Sequence, residues 1–385
     1  MPNILTLNKI AKCGLDQFPA GYACGADVEH PDAILVRSAS LHEMPLDPAT
    51  LAIARAGAGV NNIPVEACTE AGVCVFNTPG ANANAVKELV ILGLFLASRK
   101  VAEALDWCKT LKGEGANVGK LVEKGKGAFG GPEILGKTLG LIGVGAIGGL
   151  VANAAAALGM RVVGYDPYLS GGARAQLDAS VALLGSAGEV IAQSDYLSLH
   201  APLTPETKGF LNAAALAGAR DGLRIVNTAR ADLVNSADLL AALESGKVAA
   251  YVVDFPTDEM IGVPGVTAIP HLGASTPESE DNCAVMAARQ VVAYLERGEI
   301  VNSVNLPETK LPAQFVSRVC VIHTCPMDEL LAMLGADPLH LVTNKRGDVS
   351  YTGADLDIPG FQWIFAGGEE AARASGLLRI RILKG

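Results

Sequence analysis

The sequence predicts an α/β protein with two doubly wound parallel-sheet domains and a small α+β module at the C-terminal end. Three observations support this prediction. Short apolar runs that end in Gly, Pro or Asn recur along the chain, helical stretches of about 10–20 residues separate the later runs, and the pattern changes after "VNSVNLP". Apolar runs bounded in this way are typical of buried parallel strands. Their alternation with helices is typical of doubly wound sheets.

The first 80 residues contain the runs "AILVRSA", "LAIARAGAGV" and "VCVFNTP", which predict buried parallel strands. From Asn82 onward a helical period predicts a long helix over 84–111, with Asn82 as its cap. Seven glycines between 113 and 131 then predict an exposed loop.

Strands and helices alternate from Lys137 to about Pro270, which predicts a doubly wound sheet. The six strand runs are "TLGLIG", "RVVGYD", "DYLSLHAP", "LRIVNTA", "AAYVVDF" and "VTAIPH". A helix is predicted over 276–297, with Thr276 as its cap, Pro277 at its first position and acids in its first turn. The remaining residues predict a separate small α+β module.

Composition excludes several classes of protein. A chain of 385 residues is too long for one hydrophobic core. The net charge of −10 argues against nucleic acid or an anionic membrane as a partner. The longest apolar run, Leu89–Ala97, is far shorter than the roughly 20 residues of a membrane span, and no signal segment is expected. Eight scattered cysteines without a CxxC pair predict reduced thiols, a cytoplasmic location and no metal site.

The stretch "GLIGVGAIGG" follows a predicted strand and opens a predicted helix. Gly143 would allow the tight turn, Gly145 would let a pyrophosphate approach the backbone, and Gly148 would let helix and strand pack closely. The first helical turn, with Ala146 and Ile147, would present its N–H groups to the phosphates. Packing alone is the alternative role for such glycines.

A carboxylate at the end of the second strand decides between these two roles. Asp166 lies 18 residues after Gly148 and could accept hydrogen bonds from both ribose hydroxyls while repelling a 2′-phosphate. The sequence therefore predicts a Rossmann-like domain that binds NAD in preference to NADP.

Three polar residues follow predicted strands: Arg230, Glu259 and His271. Oxidation of a 2-hydroxy acid needs a cation that holds the carboxylate and a group that exchanges the hydroxyl proton. The guanidinium of an arginine can donate two parallel hydrogen bonds to a carboxylate, and a nearby carboxylate would raise the pKa of a histidine. Each residue alone could be a surface ion pair, a solvated acid or a structural histidine. As an ordered set after a nucleotide-binding corner, they predict a catalytic site.

The ordered motifs "GVGAIG" with Asp166, "LSLHAPLT", "NTARADLV", "VVDFPTDEM" and "PHLGAST" resemble the D-2-hydroxyacid dehydrogenase family over nearly the whole chain. The resemblance implies that Arg230 binds the substrate and that Glu259 and His271 form an acid–base pair. It also implies Asp254 near the nicotinamide carboxamide. The cofactor cleft would be lined by residues that follow the strands: His200, Ala201, Pro202, Thr228, Ala229 and Gly273.

The same resemblance implies a discontinuous substrate-binding domain made of residues 1–88 and 280–308. Residues 89–279 would form the NAD-binding Rossmann domain, and the two long predicted helices would cross between the domains. In the loop "AGAGVNNI", the backbone N–H groups of Ala58, Gly59 and Val60 would hold a substrate carboxylate.

The stretch "VRSAS" resembles the branch of the family that oxidises phosphoglycerate, in which the arginine, here Arg37 beside Ser38, reaches the substrate phosphate. Pairing of Arg37 with a local acid is the alternative. Residues 309–385 resemble an ACT domain, a regulatory or dimerisation unit of the order βαββαβ, but Thr324 and Met327 replace the Asn and Gly expected where serine binds.

We therefore expect NAD-dependent oxidation of D-3-phosphoglycerate to 3-phosphooxypyruvate, the first step of serine biosynthesis, by a homodimer or homotetramer with a weak serine response. A hydroxypyruvate or glyoxylate reductase of the same family is the alternative enzyme. An NAD-sensing regulatory protein is the alternative from another class.

Overall fold

The computed structural model describes residues 1–363 and 368–385. It divides into two compact units, Met1–Asn82 with Pro277–Gly385, and Ala83–Thr276. The predicted fold class is confirmed, since both units contain parallel sheets and a small antiparallel sheet ends the chain. The predicted module 309–385 lies within the first unit by its contacts, and its separate domain status remains a prediction.

The first unit begins with a five-stranded parallel sheet of order β2-β1-β3-β4-β5. Strands β3 and β5 are fully buried, as their unbroken apolar sequences predict. Helix α11 packs against this sheet and against α1. The elements are β1 (Asn3–Leu7), α1 (Lys12–Leu15), β2 (Ala23–Gly25), β3 (Ala33–Val36), β4 (Ala52–Arg55), α2 (Val65–Glu70), β5 (Cys74–Phe76) and, after the second unit, α11 (Pro277–Arg297).

The second unit contains a seven-stranded parallel sheet of order β12-β11-β10-β9-β6-β7-β8. The order reverses at β6, which pairs with both β7 and β9, so a crevice opens at the carboxyl end of β6. The strands are β6 (Thr138–Ile142), β7 (Arg161–Tyr165), β8 (Ala182–Leu183), β9 (Tyr196–Leu199), β10 (Leu223–Asn227), β11 (Val248–Val253) and β12 (Val266–Ala268).

The helices of the second unit surround this sheet. They are α3 (Ala83–Ser98), α4 (Val101–Thr110), α5 (Val118–Gly125), α6 (Ala146–Ala157), α7 (Gly171–Ala175), α8 (Ala187–Gln193), α9 (Ala213–Ala217) and α10 (Ser236–Glu244). None of the described helices of the chain is long and apolar enough to span a membrane.

Two predictions between residues 82 and 131 are corrected. The single helix expected over 84–111 is two helices, because the buried face of α3 ends at Ser98, whose hydroxyl donates to the Leu94 carbonyl. The glycine-rich stretch is exposed but contains α5 where a loop was expected. Trp107 packs against Phe129 at 5.3 Å between ring centroids, and its indole lies where a Cβ on Gly125 would be. This tertiary contact, which glycine permits, is not visible in local sequence.

The C-terminal module has a four-stranded antiparallel sheet of order β14-β15-β13-β16. Its chain order is βαββαβ, as expected, although its relation to ACT domains remains a prediction. The elements are β13 (Ser317–His323), α12 (Met327–Leu334), β14 (His340–Arg346), β15 (Val349–Leu356), α13 (Gly368–Ala374) and β16 (Leu377–Lys384).

Buried side chains of the module bind the carboxyl end of α11. Arg381 donates to the carbonyls of Tyr294 and Leu295 at 3.1 and 2.8 Å, and Arg318 donates to that of Arg297 at 2.7 Å. Cations are favourable at this end of a helix because its last carbonyls are unpaired and carry partial negative charge. The module therefore shares one core with the first unit and packs on α11 as a fixed layer.

Candidate functional site

The glycine corner lies at the carboxyl end of β6. Gly143 has φ of +92°, and a Cβ there would lie 2.8 Å from the carbonyl carbon of His200. A Cβ on Gly148 would overlap the carbonyl oxygen of Gly143. Both positions therefore require glycine for the turn and for the close approach of α6 to the strand.

Gly145 differs from its two neighbours because the space beside it is open. A Cβ there would meet no described atom within 4 Å. Gly145 caps α6 without a side-chain hydrogen bond, so the first turn, with Ala146 and Ile147, presents its N–H groups outward. This is the arrangement in which a helix N-terminus binds a phosphate group.

Asp166 connects the corner to the end of β7. One carboxylate oxygen accepts from the Val144 N–H and the other from the Tyr168 N–H, both at 2.9 Å. These bonds hold the carboxylate beside the corner, and its role in binding a ribose stays a prediction. Each oxygen keeps a lone pair for a ribose hydroxyl.

His200 follows β9, the strand that pairs with β6, and lies beside the glycine corner. Its Nε2 lies 3.0 Å from the Ser198 hydroxyl, and its ring lies beside the position of a Cβ on Gly148. Burial lowers the pKa of His200 to about 4, so the ring is neutral near pH 7. Ala201 and Pro202 continue from it along the same edge of the sheet.

Thr228 and Ala229 follow β10 in a turn that Asn227 holds. The Asn227 side chain accepts from the Ala229 N–H and donates to the carbonyl of Arg230 and the hydroxyl of Tyr251. The Thr228 hydroxyl is buried and has no protein partner among the described residues. An unpartnered buried hydroxyl at the carboxyl end of β10 fits a bound cofactor that would supply its hydrogen bond.

Asp254 follows β11 and holds the segment that carries His271. Its buried carboxylate accepts from the N–H groups of Leu272 and Gly273 at 2.6 and 2.8 Å, and its carbonyl accepts from the His271 N–H. Burial raises the pKa of Asp254, and the two N–H bonds oppose that rise. A Cβ on Gly273 would lie 3.0 Å from the carboxylate, so this close approach favours glycine.

Phe255 connects Arg230 and His271, and the sequence analysis missed it. Its ring lies 4.4 Å from the His271 ring between centroids, and the Arg230 guanidinium carbon lies 5.6 Å from its centroid. His271 has φ of +52°, a strained value for a residue with a side chain. An aromatic residue directly after Asp254 was the available signal.

Glu259 lies in the segment between β11 and β12. It is exposed, and a hydrogen bond from its own backbone N–H lowers its pKa most, followed by those from nearby hydroxyl groups. Within residues 1–363 and 368–385, no ion pair joins Glu259 to His271. The acid–base pair therefore remains a prediction.

The predicted substrate residues lie in the first unit. Arg37 forms an ion pair with Glu280 at 2.8 Å, and the N–H of Ser38 donates to the Asn8 side chain at 2.9 Å. The alternative interpretation of Arg37, a local ion pair, is thus present in this structure, while phosphate binding stays a prediction.

The loop Ala58–Val60 has the free donors that its prediction requires. No described group accepts a hydrogen bond from the N–H groups of Ala58, Gly59 or Val60. The Asn77 side chain holds the loop through the Ala58 carbonyl at 2.6 Å. Asn8 and Asn77 were missed, since buried or turn-holding amides have no local sequence signature.

The strand order, the glycine corner and Asp166 are typical of a dinucleotide-binding domain. Residues 92–273 match the family described as D-isomer specific 2-hydroxyacid dehydrogenase, NAD binding domain. The chain belongs to the D-isomer-specific 2-hydroxyacid dehydrogenases, and its second unit carries their NAD-binding domain.

Three comparisons illustrate the relationship. The chain is 33% identical over 371 residues to D-3-phosphoglycerate dehydrogenase of Mycobacterium leprae, covering 91% of this chain and 67% of that protein. It is 39% identical over 253 residues to hydroxypyruvate reductase of Thermotoga maritima, covering 63% and 77%. A crystal structure of a glyoxylate reductase from Paecilomyes thermophila superposes with a TM-score of 0.66 at 26% identity, covering 79% of this chain and 98% of that one.

The chain is shorter than the phosphoglycerate dehydrogenases that it matches. It spans 67% of the protein from Mycobacterium leprae, 59% of that from Mycobacterium bovis and 49% of that from Methanocaldococcus jannaschii.

Proposed function

We propose that this chain oxidises D-3-phosphoglycerate to 3-phosphooxypyruvate with NAD as the hydride acceptor. The observation that carries the proposal is the extent of the match to the phosphoglycerate dehydrogenase of Mycobacterium leprae. A match over 91% of the chain has to extend into the C-terminal module. The match to the hydroxypyruvate reductase covers 63% of the chain.

The chemistry follows from the residues at the strand ends of the second unit. An imidazole nitrogen of His271 accepts the proton of the substrate hydroxyl, while the hydrogen on the same carbon leaves as hydride. Bound NAD supplies the acceptor for that hydride. Arg230 holds the carboxylate with two parallel N–H donors. Phe255 limits the positions of both side chains, since it contacts one and lies under the other.

Glu259 has a role in this proposal only if it turns toward His271. A carboxylate beside the imidazole would stabilise its protonated form, which appears as the hydroxyl proton is taken up. The Glu259 side chain is exposed, so water can replace its present partners and the side chain is free to rotate.

Initial rates with NAD and a panel of D-hydroxy acids test the proposal. D-3-phosphoglycerate should give a kcat/KM at least tenfold above that of D-glycerate or D-lactate. Hydroxypyruvate with NADH is the parallel arm, because the match to the hydroxypyruvate reductase supports that reaction as the second candidate. A higher kcat/KM for hydroxypyruvate than for 3-phosphooxypyruvate would reject the proposal. No turnover with any substrate would favour an NAD-sensing protein.

The role of Arg37 is tested by breaking its ion pair from either side. If Arg37 binds the phosphate, Arg37→Ala should raise KM for phosphoglycerate about tenfold or more, because a charge-assisted hydrogen bond contributes roughly 1.5–3 kcal/mol. Glu280→Gln leaves the arginine in place and frees it from its partner. It should leave KM unchanged or lower it. A similar rise of KM in both variants would show that the ion pair is structural.

We further propose a cytoplasmic location and a homodimer or homotetramer. The eight cysteines are all free in the structure, which suits a reducing compartment. Light scattering after size-exclusion chromatography measures the oligomeric state, and a monomer would contradict that part of the proposal.

A further inference from the structure

The segment after β3 is held by a side chain that follows the neighbouring strand. Strands β1 and β3 pair in parallel along their whole shared length, so their carboxyl ends lie side by side. Asn8 follows β1 directly, and its Oδ1 accepts from the N–H of Ser38 at 2.9 Å and from that of Ala39 at 2.7 Å. One side chain therefore fixes the backbone beside Arg37, in the segment predicted to bind the substrate phosphate.

These two hydrogen bonds also fix the orientation of the Asn8 amide. Both donors are backbone N–H groups, so the atom that accepts from them is the oxygen. Its two lone pairs are then both in use, and Nδ2 keeps two N–H donors. No described residue accepts a hydrogen bond from Nδ2, and the residue is exposed. Asn8 therefore offers two free donors at the start of the Ser38 segment.

The backbone at position 8 narrows the choice of residue to two types. Asn8 has φ of +67°, and asparagine and aspartate adopt such values more readily than other residues with side chains. An aspartate here would accept from the same two N–H groups, and its hydrogen bonds would be charge-assisted. Support of the segment alone thus does not require an amide. The amide differs in its two N–H donors and its lack of negative charge, and both differences favour an anion beside it.

The surroundings of Asn8 contain further free donors. Ser38 is exposed, and its hydroxyl forms no hydrogen bond with the described residues. Lys9 is exposed and forms no ion pair within residues 1–363 and 368–385. Arg37 differs from both, because its guanidinium lies 2.8 Å from the Glu280 carboxylate. An anion must compete with Glu280 for Arg37, whereas the donors of Asn8 and Ser38 are available without rearrangement.

We propose that Asn8 determines specificity for a phosphorylated substrate: its Nδ2 donates to the substrate phosphate while its Oδ1 holds the segment with Arg37 and Ser38. This inference rests on the proposed oxidation of D-3-phosphoglycerate. It adds a residue that follows β1 to the two phosphate-binding residues predicted after β3. D-glycerate has the same hydroxyl and carboxylate groups but no phosphate, so its binding should not depend on Asn8.

Asn8→Asp tests the proposal, because it keeps the acceptor and tolerates the same φ but removes the two donors and adds a negative charge. Isothermal titration calorimetry of the full chain, saturated with NADH, measures binding of D-3-phosphoglycerate and of D-glycerate. The Kd of D-3-phosphoglycerate should rise tenfold or more, and the Kd of D-glycerate should stay within about twofold. The Tm should be unchanged, since both hydrogen bonds to the segment remain.

Asn212→Asp is the matched control. Asn212 caps α9 and likewise accepts from a backbone N–H, that of Ala215 at 3.1 Å. The substitution adds the same charge in the second unit and should change neither Kd.

An unchanged Kd of D-3-phosphoglycerate in Asn8→Asp would overturn the proposal. An equal rise for D-glycerate, or a fall of several degrees in Tm, would also overturn it, because Asn8 would then only support the segment. Failure of the proposed reaction would look different. Binding of D-3-phosphoglycerate without turnover by the unsubstituted chain would reject the reaction, and a selective rise of Kd in Asn8→Asp would still support the role of Asn8. No saturable binding to the unsubstituted chain would overturn both.

Discussion

Two strand-to-helix corners of this chain have the same local topology and opposite surroundings. The corner after β6 has glycine at 143, 145 and 148, and the space above the first turn of α6 is open. The corner after β13 has Thr324, Cys325 and Pro326 before α12, so every residue of this turn carries a side chain.

Hydrogen bonds of His323 connect the second corner to β15. Its Nδ1 lies 3.0 Å from the Cys325 carbonyl oxygen, and its Nε2 lies 2.8 Å from the Thr352 hydroxyl. Thr352 contacts Thr343, whose hydroxyl lies 4.0 Å from the sulfur of Met327. The same strand–turn–helix topology can thus present backbone N–H groups to a ligand or surround them with side chains. The side chains at the turn decide between the two.

We expect the largest effect on catalysis from substitution of His271, which follows a strand of the second unit. His271→Asn should lower kcat about 10²-fold or more, because general acid–base catalysis contributes on the order of 10²–10⁴-fold. NAD affinity should be retained, since the Asp254 carboxylate holds the backbone of Leu272 and Gly273 whatever the side chain at 271.

Glu259→Gln is the variant to compare with His271→Asn in the same kinetic measurements. If Glu259 turns toward His271, its loss should shift the pH–rate profile of kcat toward lower pH, because a neighbouring carboxylate favours the protonated form of an imidazole. Near-normal kcat in His271→Asn would remove the histidine from the mechanism. An unshifted profile in Glu259→Gln would remove the pair.

The second prediction concerns NAD binding and the open space beside Gly145. Gly145→Val should keep the fold, because a Cβ at this position meets no described atom within 4 Å. It should weaken NAD binding about 100-fold or more, since the side chain fills the space beside the N–H groups of α6. Gly171→Val is the control, at another helix start with equal open space. Titration of NADH fluorescence measures both, and equal Kd values in the two variants would refute the assignment of the corner.

A third prediction uses His200, the half-buried histidine beside the first corner. The unfolded chain binds a proton on His200 near pH 6.5, whereas in the folded chain burial lowers the pKa to about 4. This histidine therefore contributes fully to stability above pH 6.5, and the contribution is lost as pH falls from 6.5 to 4. The loss should reach about 3 kcal/mol in the free energy of unfolding.

Urea unfolding at pH 7.5 and pH 4 measures that loss. His200→Gln should show a smaller decrease between the two pH values than the unsubstituted chain. His340→Gln, at an exposed position of the module, should show the full decrease. The idea fails if His200→Gln and His340→Gln lose the same free energy.

The local structure of the corner after β6 could be predicted from the sequence, whereas only the order of strands and helices could be predicted around the corner after β13. This difference has physical reasons. Close approach of backbone atoms requires glycine at Gly143 and Gly148, and Asp166 is recognised by its spacing from that turn. These residues lie within a short stretch of sequence, so a local pattern is sufficient to predict them. The role of Phe255 depends on contact with Arg230 and His271 from different strand ends. The indole of Trp107 packs against Gly125 at the end of α5, and the bond of Asn8 with Ser38 joins residues 30 apart in the chain. Such contacts exist only after the chain folds, and local patterns do not encode them.

The smallest effect that we expect is the response of the protein to serine at the corner after β13. A serine site at this turn would need an amide that donates and accepts, together with open backbone, and the chain has Thr324 and Met327 there instead. Thr324 is bound to the Gly376 carbonyl through its N–H at 2.8 Å. The module is also fixed to α11 by Arg318 and Arg381, so it has little freedom to transmit a signal by moving.

Serine at millimolar concentration should therefore leave initial rates and Tm nearly unchanged. The double variant Thr324→Asn, Met327→Gly sharpens the comparison, because it restores the two residue types and opens the corner. A serine-dependent rise of Tm in the double variant alone would show that side chains at this turn close the site. Inhibition by serine, or a rise of several degrees, in the unsubstituted chain would show that the corner binds serine in spite of its side chains.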